Sequence, residues 1–155
     1  MRLTKTFTVI AVSLSLALPP AAVRAQVSGG VGEFNLPSLG NVAGADLTVM
    51  DERSLGEQLM RRVRADQTYL PDAEITDFLN RLGWRLVAAA DPSPYDFFFF
   101  PIRDKTLNAF ALPGGFIAVH TGLLVAAQTE SELAGVMSHE IGHVTQRHIA
   151  RMIEN

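Results

Sequence analysis

Two histidines and a glutamate near the end of the chain form the pattern with the clearest chemical meaning. His139, Glu140 and His143 stand in the order His-Glu-x-x-His. On an α-helix, residues four apart lie on the same face, so both imidazoles can bind one metal ion. Glu140 then lies beside the ion without having to bind it, and it can take a proton from a zinc-activated water. The spacing predicts one zinc ion per chain and hydrolytic chemistry.

The alternative interpretation of the motif is a helix that carries two surface histidines and binds no metal. It predicts no zinc in the protein and no effect of chelators. The chain contains no cysteine, so any transition-metal site has to use His, Asp or Glu side chains.

A catalytic zinc ion needs three protein ligands, and the motif supplies two. On a continuous helix His148 lies about 140° round from His143, so we interpret it as a neighbouring or surface group and not as a ligand. His120, at the end of a predicted strand, is a second local candidate. We expect the third ligand to lie beyond Asn155, which makes the chain the N-terminal part of a longer protein.

The motif needs a helix to position it. Thr129 is a suitable N-cap, and Glu132 three residues later is expected to complete a capping box. No proline follows, so the pattern predicts one continuous helix to the end of the chain. Gly135 and Gly142 are interpreted as sites of close packing.

The preceding segments predict two helices and a small sheet. Residues 51–66 have apolar residues four apart, and Pro71 and Asp72 can open a second helix that ends near Ala90. Strands are predicted next, and then a short helix that ends near Ala127. The predicted strands are 95–102, 107–112 and 116–119. The fold class is therefore α+β, with a helical N-terminal half, a short β-sheet and then the helix that carries the motif.

Four consecutive phenylalanines, at positions 97–100, lie within the first predicted strand. Such a run is typical of a strand that is buried on both faces. The alternative is an exposed surface that binds a peptide or dips into a membrane. We favour core packing.

The N-terminus is typical of an exported protein. Two basic residues, Arg2 and Lys5, are followed by an apolar run and then by small residues. This order predicts a signal peptide over residues 1–25, with a retained membrane anchor as the alternative. Residues 26–45 are rich in Gly, Ser, Pro and Asn and predict a flexible leader, so the domain proper covers 46–155.

The charge of the chain argues against a nucleic-acid partner. The chain has 13 basic and 16 acidic residues. Arg2, Lys5 and Arg24 fall in the predicted signal peptide, which leaves 10 basic residues and a net charge of −6. A nucleic-acid interface needs a basic face, and this composition does not supply one.

Blocks of sequence over residues 51–155 resemble the start of the catalytic domain of the M48 metallopeptidases. Within that family they are most similar to the branch of periplasmic β-barrel assembly-enhancing proteases. Four blocks carry the resemblance, at residues 108–115, 120–124, 130–134 and 139–151.

The resemblance implies a zincin-like domain and a role for each matching residue. His139 and His143 match the zinc ligands, and Glu140 matches the general base and acid. Asn108 and Ala109 match an edge strand that pairs with the substrate backbone, although a polar residue facing a turn is an equal interpretation of Asn108. The third ligand in the family is a Glu on a later helix, which agrees with the expectation of a ligand beyond Asn155.

The implied function is that of a zinc-dependent metalloendopeptidase in the periplasm, with membrane association left open. Its expected substrates are unfolded or misassembled outer-membrane proteins, and its expected partner is the outer-membrane assembly machinery. The alternative is a catalytically silent peptide-binding or chaperone module on the same scaffold. The two differ at Glu140, whose replacement by Gln should abolish turnover in the enzyme and change nothing in the module.

Overall fold

A computed structural model describes residues 47–154, so the predicted signal peptide and leader lie outside the described residues. The described part folds as two helices, a three-stranded sheet and three further helices, which confirms the α+β class and the helical N-terminal half. In chain order the elements are α1 (Val49–Ala65), α2 (Ala73–Ala89), β1 (Phe98–Ile102), β2 (Ala109–Leu112), β3 (Phe116–His120), α3 (Thr121–Ala126), α4 (Glu130–Thr145) and α5 (His148–Glu154).

Local sequence signals explain where the first two helices begin. Thr48 and Asp51 form a capping box at the start of α1, and the Asp72 side chain accepts a hydrogen bond from the Ile75 N–H at the start of α2. The apolar stripe of α1 is buried, as its spacing predicted. Both helices begin and end within a few residues of their predicted bounds.

The sheet has the strand order β1-β3-β2, with β3 in the centre. β1 runs parallel to β3 and β2 runs antiparallel to it, so that Ile117 pairs with Phe99 on one side and Ala111 on the other. α2 and α4 pack on one face of the sheet, and α1 packs on the other. All five residues of β3 are therefore buried.

The phenylalanine run forms core, as predicted. Phe99 and Phe100 are both 0% exposed and point to opposite faces of the sheet. Gly83 of α2 lies directly against the Phe99 ring, where a Cβ would come within 2.2 Å of it. This close approach allows α2 to lie on β1.

The start of α4 differs from the predicted capping box. Thr129 is the N-cap, and its hydroxyl accepts a hydrogen bond from the Glu132 N–H at 3.3 Å. The Glu132 carboxylate, however, accepts from the Gln128 N–H at 2.8 Å, one residue before the cap. The prediction of Thr129 as the N-cap is confirmed. The prediction of a capping box is wrong, because the Thr129 N–H does not donate to Glu132.

The prediction of one continuous helix after Thr129 is also wrong. α4 ends at Thr145, and Arg147 has a φ of 54°, in the left-handed region that ends right-handed helices. The chain then continues as α5. Gly135 and Gly142 do not serve close packing either, because a Cβ at either position would meet nothing within 4 Å.

Among the described residues, no helix combines the length and the apolar character that a membrane crossing requires.

Candidate metal centre

Helix α4 places His139, Glu140 and His143 at one site. One ligand atom from each of the three side chains lies within 4.8 Å of the others. The two imidazoles are closest at their Nε2 atoms, which are 3.0 Å apart. Their rings meet edge to face, with centroids 4.5 Å apart. The four-residue spacing thus brings two nitrogen donors to one point, as expected for a helix.

The distance between the two Nε2 atoms is compatible with a shared zinc ion. Zinc binds histidine nitrogen at about 2.0–2.1 Å in a tetrahedral arrangement, which separates two such nitrogens by about 3.3 Å. The observed 3.0 Å between the Nε2 atoms of His139 and His143 is close to that value. Imidazole is also a donor that zinc favours. The residues therefore fit two positions of a zinc site.

The surroundings of His143 favour its neutral form. Burial lowers the pKa of His143, and the neighbouring His139 and His148 rings lower it further. A neutral imidazole has a free lone pair, which is the form that binds a metal. The surroundings of His143 therefore favour the form of the ring that can bind a metal.

Glu140 is a buried carboxyl group beside this pair. Its side chain points toward the sheet, and the residue is only 8% exposed. Burial raises the pKa of Glu140 from 4.5 to about 7, and a hydrogen bond from the backbone N–H of Ala111 partly offsets that rise. A carboxyl group with a pKa near neutrality can both accept and donate a proton. A divalent cation on the histidines would shift Glu140 toward its ionised form.

Strand β2 forms the sheet edge next to Glu140. The His120 N–H donates to the Asn108 carbonyl at 3.0 Å, so the backbone of Asn108 pairs with β3. Because pairing alternates along an antiparallel strand, the backbone groups of Ala109 and Ala111 point to the outer edge instead. Of the two predicted substrate-binding residues, Ala109 has its backbone at the outer edge. The Asn108 carbonyl is turned inward. Ala111 was not predicted, because its contact with Glu140 arises from the packing of α4 against the sheet.

His120 does not belong to the group formed by the motif. Its ring is buried against Phe110, with 5.7 Å between ring centroids, and its Nδ1 lies 2.7 Å from the Thr106 hydroxyl. Burial lowers the pKa of His120, and the nearby Asp104 carboxylate partly restores it. These contacts tie His120 to the loop before β2 and do not bring it to the other histidines.

His148, in contrast, lies directly against the motif. Its Nδ1 is 2.7 Å from Nδ1 of His143, the ring nitrogen on the side away from His139. The interpretation of His148 as a neighbour of the site agrees with this position, but its reason was wrong, because the 140° angle assumed a continuous helix. The break at Arg147 brings the two rings together.

Comparison with known proteins identifies relatives of the chain. Residues 72–155, more than half of the chain, match the sequence profile of Peptidase family M48. The chain is 41% identical over 120 residues to the beta-barrel assembly-enhancing protease of Escherichia coli K12. The aligned residues cover 77% of this chain and 25% of that protein. A Vibrio cholerae protein with a provisional form of the same name is 49% identical over 121 residues, covering 78% of this chain and 25% of that protein.

A more distant relative comes from a eukaryote. The mitochondrial metalloendopeptidase OMA1 of Schizosaccharomyces pombe is 32% identical over 111 residues, which cover 70% of this chain and 33% of that protein. The chain spans about a quarter of the length of the two bacterial relatives. These matches confirm the resemblance that the sequence blocks indicated.

Proposed function

The chain belongs to peptidase family M48, and from this premise we propose that it acts as a zinc-dependent endopeptidase with a zincin-like catalytic domain. The observation that supports the proposal most strongly is the pair of Nε2 atoms 3.0 Å apart beside a buried carboxyl group. In this proposal His139 and His143 hold the zinc ion. A third ligand comes from outside the described residues, and the family resemblance favours a glutamate.

Zinc bound at this site would supply a Lewis acid that polarises the scissile carbonyl and acidifies a water molecule. The protein's own contribution is the proton transfer at Glu140. Its carboxylate takes one proton from the attacking water while the water oxygen bonds to the carbonyl carbon. The carboxylic acid then gives that proton to the amine nitrogen as the C–N bond breaks. A divalent cation on the two histidines favours the ionised form of Glu140, which is the form that accepts the first proton.

The outer edge of β2 is the proposed substrate-binding element. An extended peptide can pair with the outward backbone groups of Ala109 and with the Ala111 carbonyl, in the way that a strand adds to an open sheet edge. This places the peptide next to Glu140, which the Ala111 N–H contacts. The Asn108 carbonyl pairs with β3, so in this proposal Asn108 can meet the peptide only through its side chain. Backbone pairing does not depend on the sequence of the peptide, so unfolded chains are suitable substrates.

The biological setting is taken from the relatives. Two of them are named for the assembly of β-barrels, and the β-barrel is the architecture of bacterial outer-membrane proteins. We propose that this protein hydrolyses unfolded or misassembled outer-membrane proteins in the periplasm, near the outer-membrane assembly machinery. The predicted signal peptide over residues 1–25 supports export.

The test is cleavage of a chemically unfolded outer-membrane β-barrel protein, with and without a chelator. We expect cleavage by the wild type, loss of cleavage with chelator, and recovery on adding zinc. Glu140→Gln should retain zinc and lose cleavage, whereas Glu132→Gln, an exposed glutamate on the same helix, should cleave normally. Cleavage by Glu140→Gln at the wild-type rate would refute the proposed role of Glu140.

The silent-module alternative makes a different prediction for the same variants. A protein that only binds unfolded chains would show no zinc-dependent cleavage in any variant. It would protect the unfolded β-barrel protein from aggregation equally well with Glu or Gln at position 140. This outcome would favour the module over the enzyme.

A further inference from the structure

We infer that His148 is a positioning residue for the metal centre, and that an ion pair between Arg147 and the buried Glu52 fixes the position of His148. The inference rests on the proposed function, because it takes His143 to bind the metal through Nε2. In this arrangement His148 holds the His143 ring from the side opposite the metal.

The two ring nitrogens of His143 face different partners. Nε2 faces Nε2 of His139 at 3.0 Å, and Nδ1 faces Nδ1 of His148 at 2.7 Å. A neutral His143 that binds a metal through Nε2 carries its proton on Nδ1. That N–H can donate to Nδ1 of His148, which then has to be the unprotonated nitrogen of the second ring. Such a bond fixes the tautomer and the orientation of a ligating histidine.

The contact between these rings depends on the break after α4. An uninterrupted helix would carry His148 about 140° away from His143. Instead α4 ends at Thr145, and the left-handed backbone of Arg147 turns the chain so that α5 begins with His148 against the motif. Left-handed positions at helix ends are most often occupied by glycine or asparagine. An arginine at this position therefore suggests a use for its side chain.

The Arg147 side chain binds a buried carboxylate on α1. Its Nε lies 2.9 Å and its Nη2 2.7 Å from Oε1 of Glu52, and Nη2 also donates to the Leu47 carbonyl. Glu52 is only 3% exposed, and the Tyr95 hydroxyl donates to the same oxygen at 2.9 Å. The carboxylate is thus held by two partners. Charge-assisted bonds of this kind fix the position of the arginine.

These contacts connect the metal centre to the other side of the sheet. Glu52 belongs to α1 and Arg147 follows α4, so the ion pair joins segments 95 residues apart. Neither Glu52 nor Arg147 is among the residues grouped at the candidate metal centre. Their effect on the centre passes through the backbone turn at Arg147 and through His148.

The test is the zinc affinity of the full chain, measured by competition with a chromophoric chelator. His148→Leu fills a similar space without an acceptor and should weaken zinc binding about 10- to 100-fold, as expected for loss of a partner of a metal ligand. His148→Asn places an amide oxygen near the position of Nδ1. It should restore the affinity to within about threefold of the wild type, because that oxygen can accept the bond from His143.

Two further variants distinguish a failure of the proposed function from a failure of the proposed role of His148. His139→Ala should abolish tight zinc binding, and Gln146→Ala, an exposed neighbour in the same turn, should leave it unchanged. Wild-type affinity in His139→Ala would overturn the proposed function itself. Loss in His139→Ala with wild-type affinity in His148→Leu would overturn only the role of His148. Equal weakening in His148→Leu and His148→Asn would overturn the hydrogen bond as its cause.

The role of the ion pair is tested with Arg147→Gly. Glycine adopts the left-handed backbone readily, so this variant keeps the turn accessible while removing the guanidinium. We expect zinc affinity to fall in the same direction as in His148→Leu, with no additional loss when both changes are combined. A variant with the circular dichroism spectrum and zinc affinity of the wild type would overturn the role of the ion pair.

Discussion

Replacing Glu140 by Gln should stabilise the metal-free protein at high pH. Burial raises the pKa of Glu140 from 4.5 to about 7. Each pKa unit corresponds to about 1.36 kcal/mol, so ionising this group costs about 3 kcal/mol more in the folded chain than in the unfolded chain. Water that still reaches part of the carboxyl group reduces this figure, and we expect about 1–3 kcal/mol. Glutamine has nearly the same shape and keeps an oxygen for the Ala111 N–H, but it carries no charge.

The sign of the effect follows from the raised pKa. Below about pH 4.5, Glu140 is protonated in both states and costs nothing. Between 4.5 and about 7 the unfolded chain releases the proton while the folded chain retains it, so stability falls as the pH rises. Above 7 both states are ionised and the full penalty is present. The advantage of Glu140→Gln therefore grows from pH 4 to pH 8.

The assay is urea denaturation of both proteins in the presence of a chelator, from pH 4 to pH 8. Other groups titrate alike in the two proteins, so the difference in unfolding free energy reports Glu140. We expect this difference to increase by about 1–3 kcal/mol in favour of the Gln variant. Glu74→Gln, an exposed carboxylate on α2, should show no such increase. A difference for Glu140→Gln that does not change with pH would refute the burial of a charge at this site.

Three other predictions concern packing, the ion pair and metal linkage. Gly83→Ala should destabilise the protein by about 2 kcal/mol or more in urea denaturation, because its Cβ would lie 2.2 Å from the buried Phe99 ring. Gly135→Ala, with open space around its Cβ, should instead stabilise it by up to about 1 kcal/mol, and equal effects would contradict the packing. Glu52→Ala should cost about 1–3 kcal/mol in the same assay, and no loss would mean that its buried bonds contribute nothing. Zinc at 100 times its dissociation constant should add about 2.7 kcal/mol to the unfolding free energy. That gain should be absent in His139→Ala, and an equal gain there would place the metal elsewhere.

Features set by local sequence could be predicted well. The cap at Thr129, the start of α2 near Pro71 and Asp72, and the apolar stripe of α1 depend on residues a few positions apart, and the structure has all of them. The buried strand of phenylalanines follows from composition alone, because such a run has no polar face to expose. The proximity of His139 and His143 is also set by local sequence, since it needs only one turn of helix.

Features set by contacts distant in sequence could not be predicted. Nothing near Arg147 marks a break in the helix, because the residue is neither glycine nor followed by proline, and its bond partner Glu52 lies 95 positions earlier. The wrong angle for His148 follows from that break. The contact of the Ala111 N–H with Glu140 likewise depends on how α4 packs on β2, which no local pattern encodes.

The proposed function requires His139 and His143 to hold one zinc ion together. The most direct test is calorimetric titration of zinc into the wild type and into His143→Ala, with folding of both checked by circular dichroism. We expect one zinc ion per wild-type chain and loss of that binding in the folded variant. Equal zinc binding by the two folded proteins, or none by the wild type, would refute the shared site.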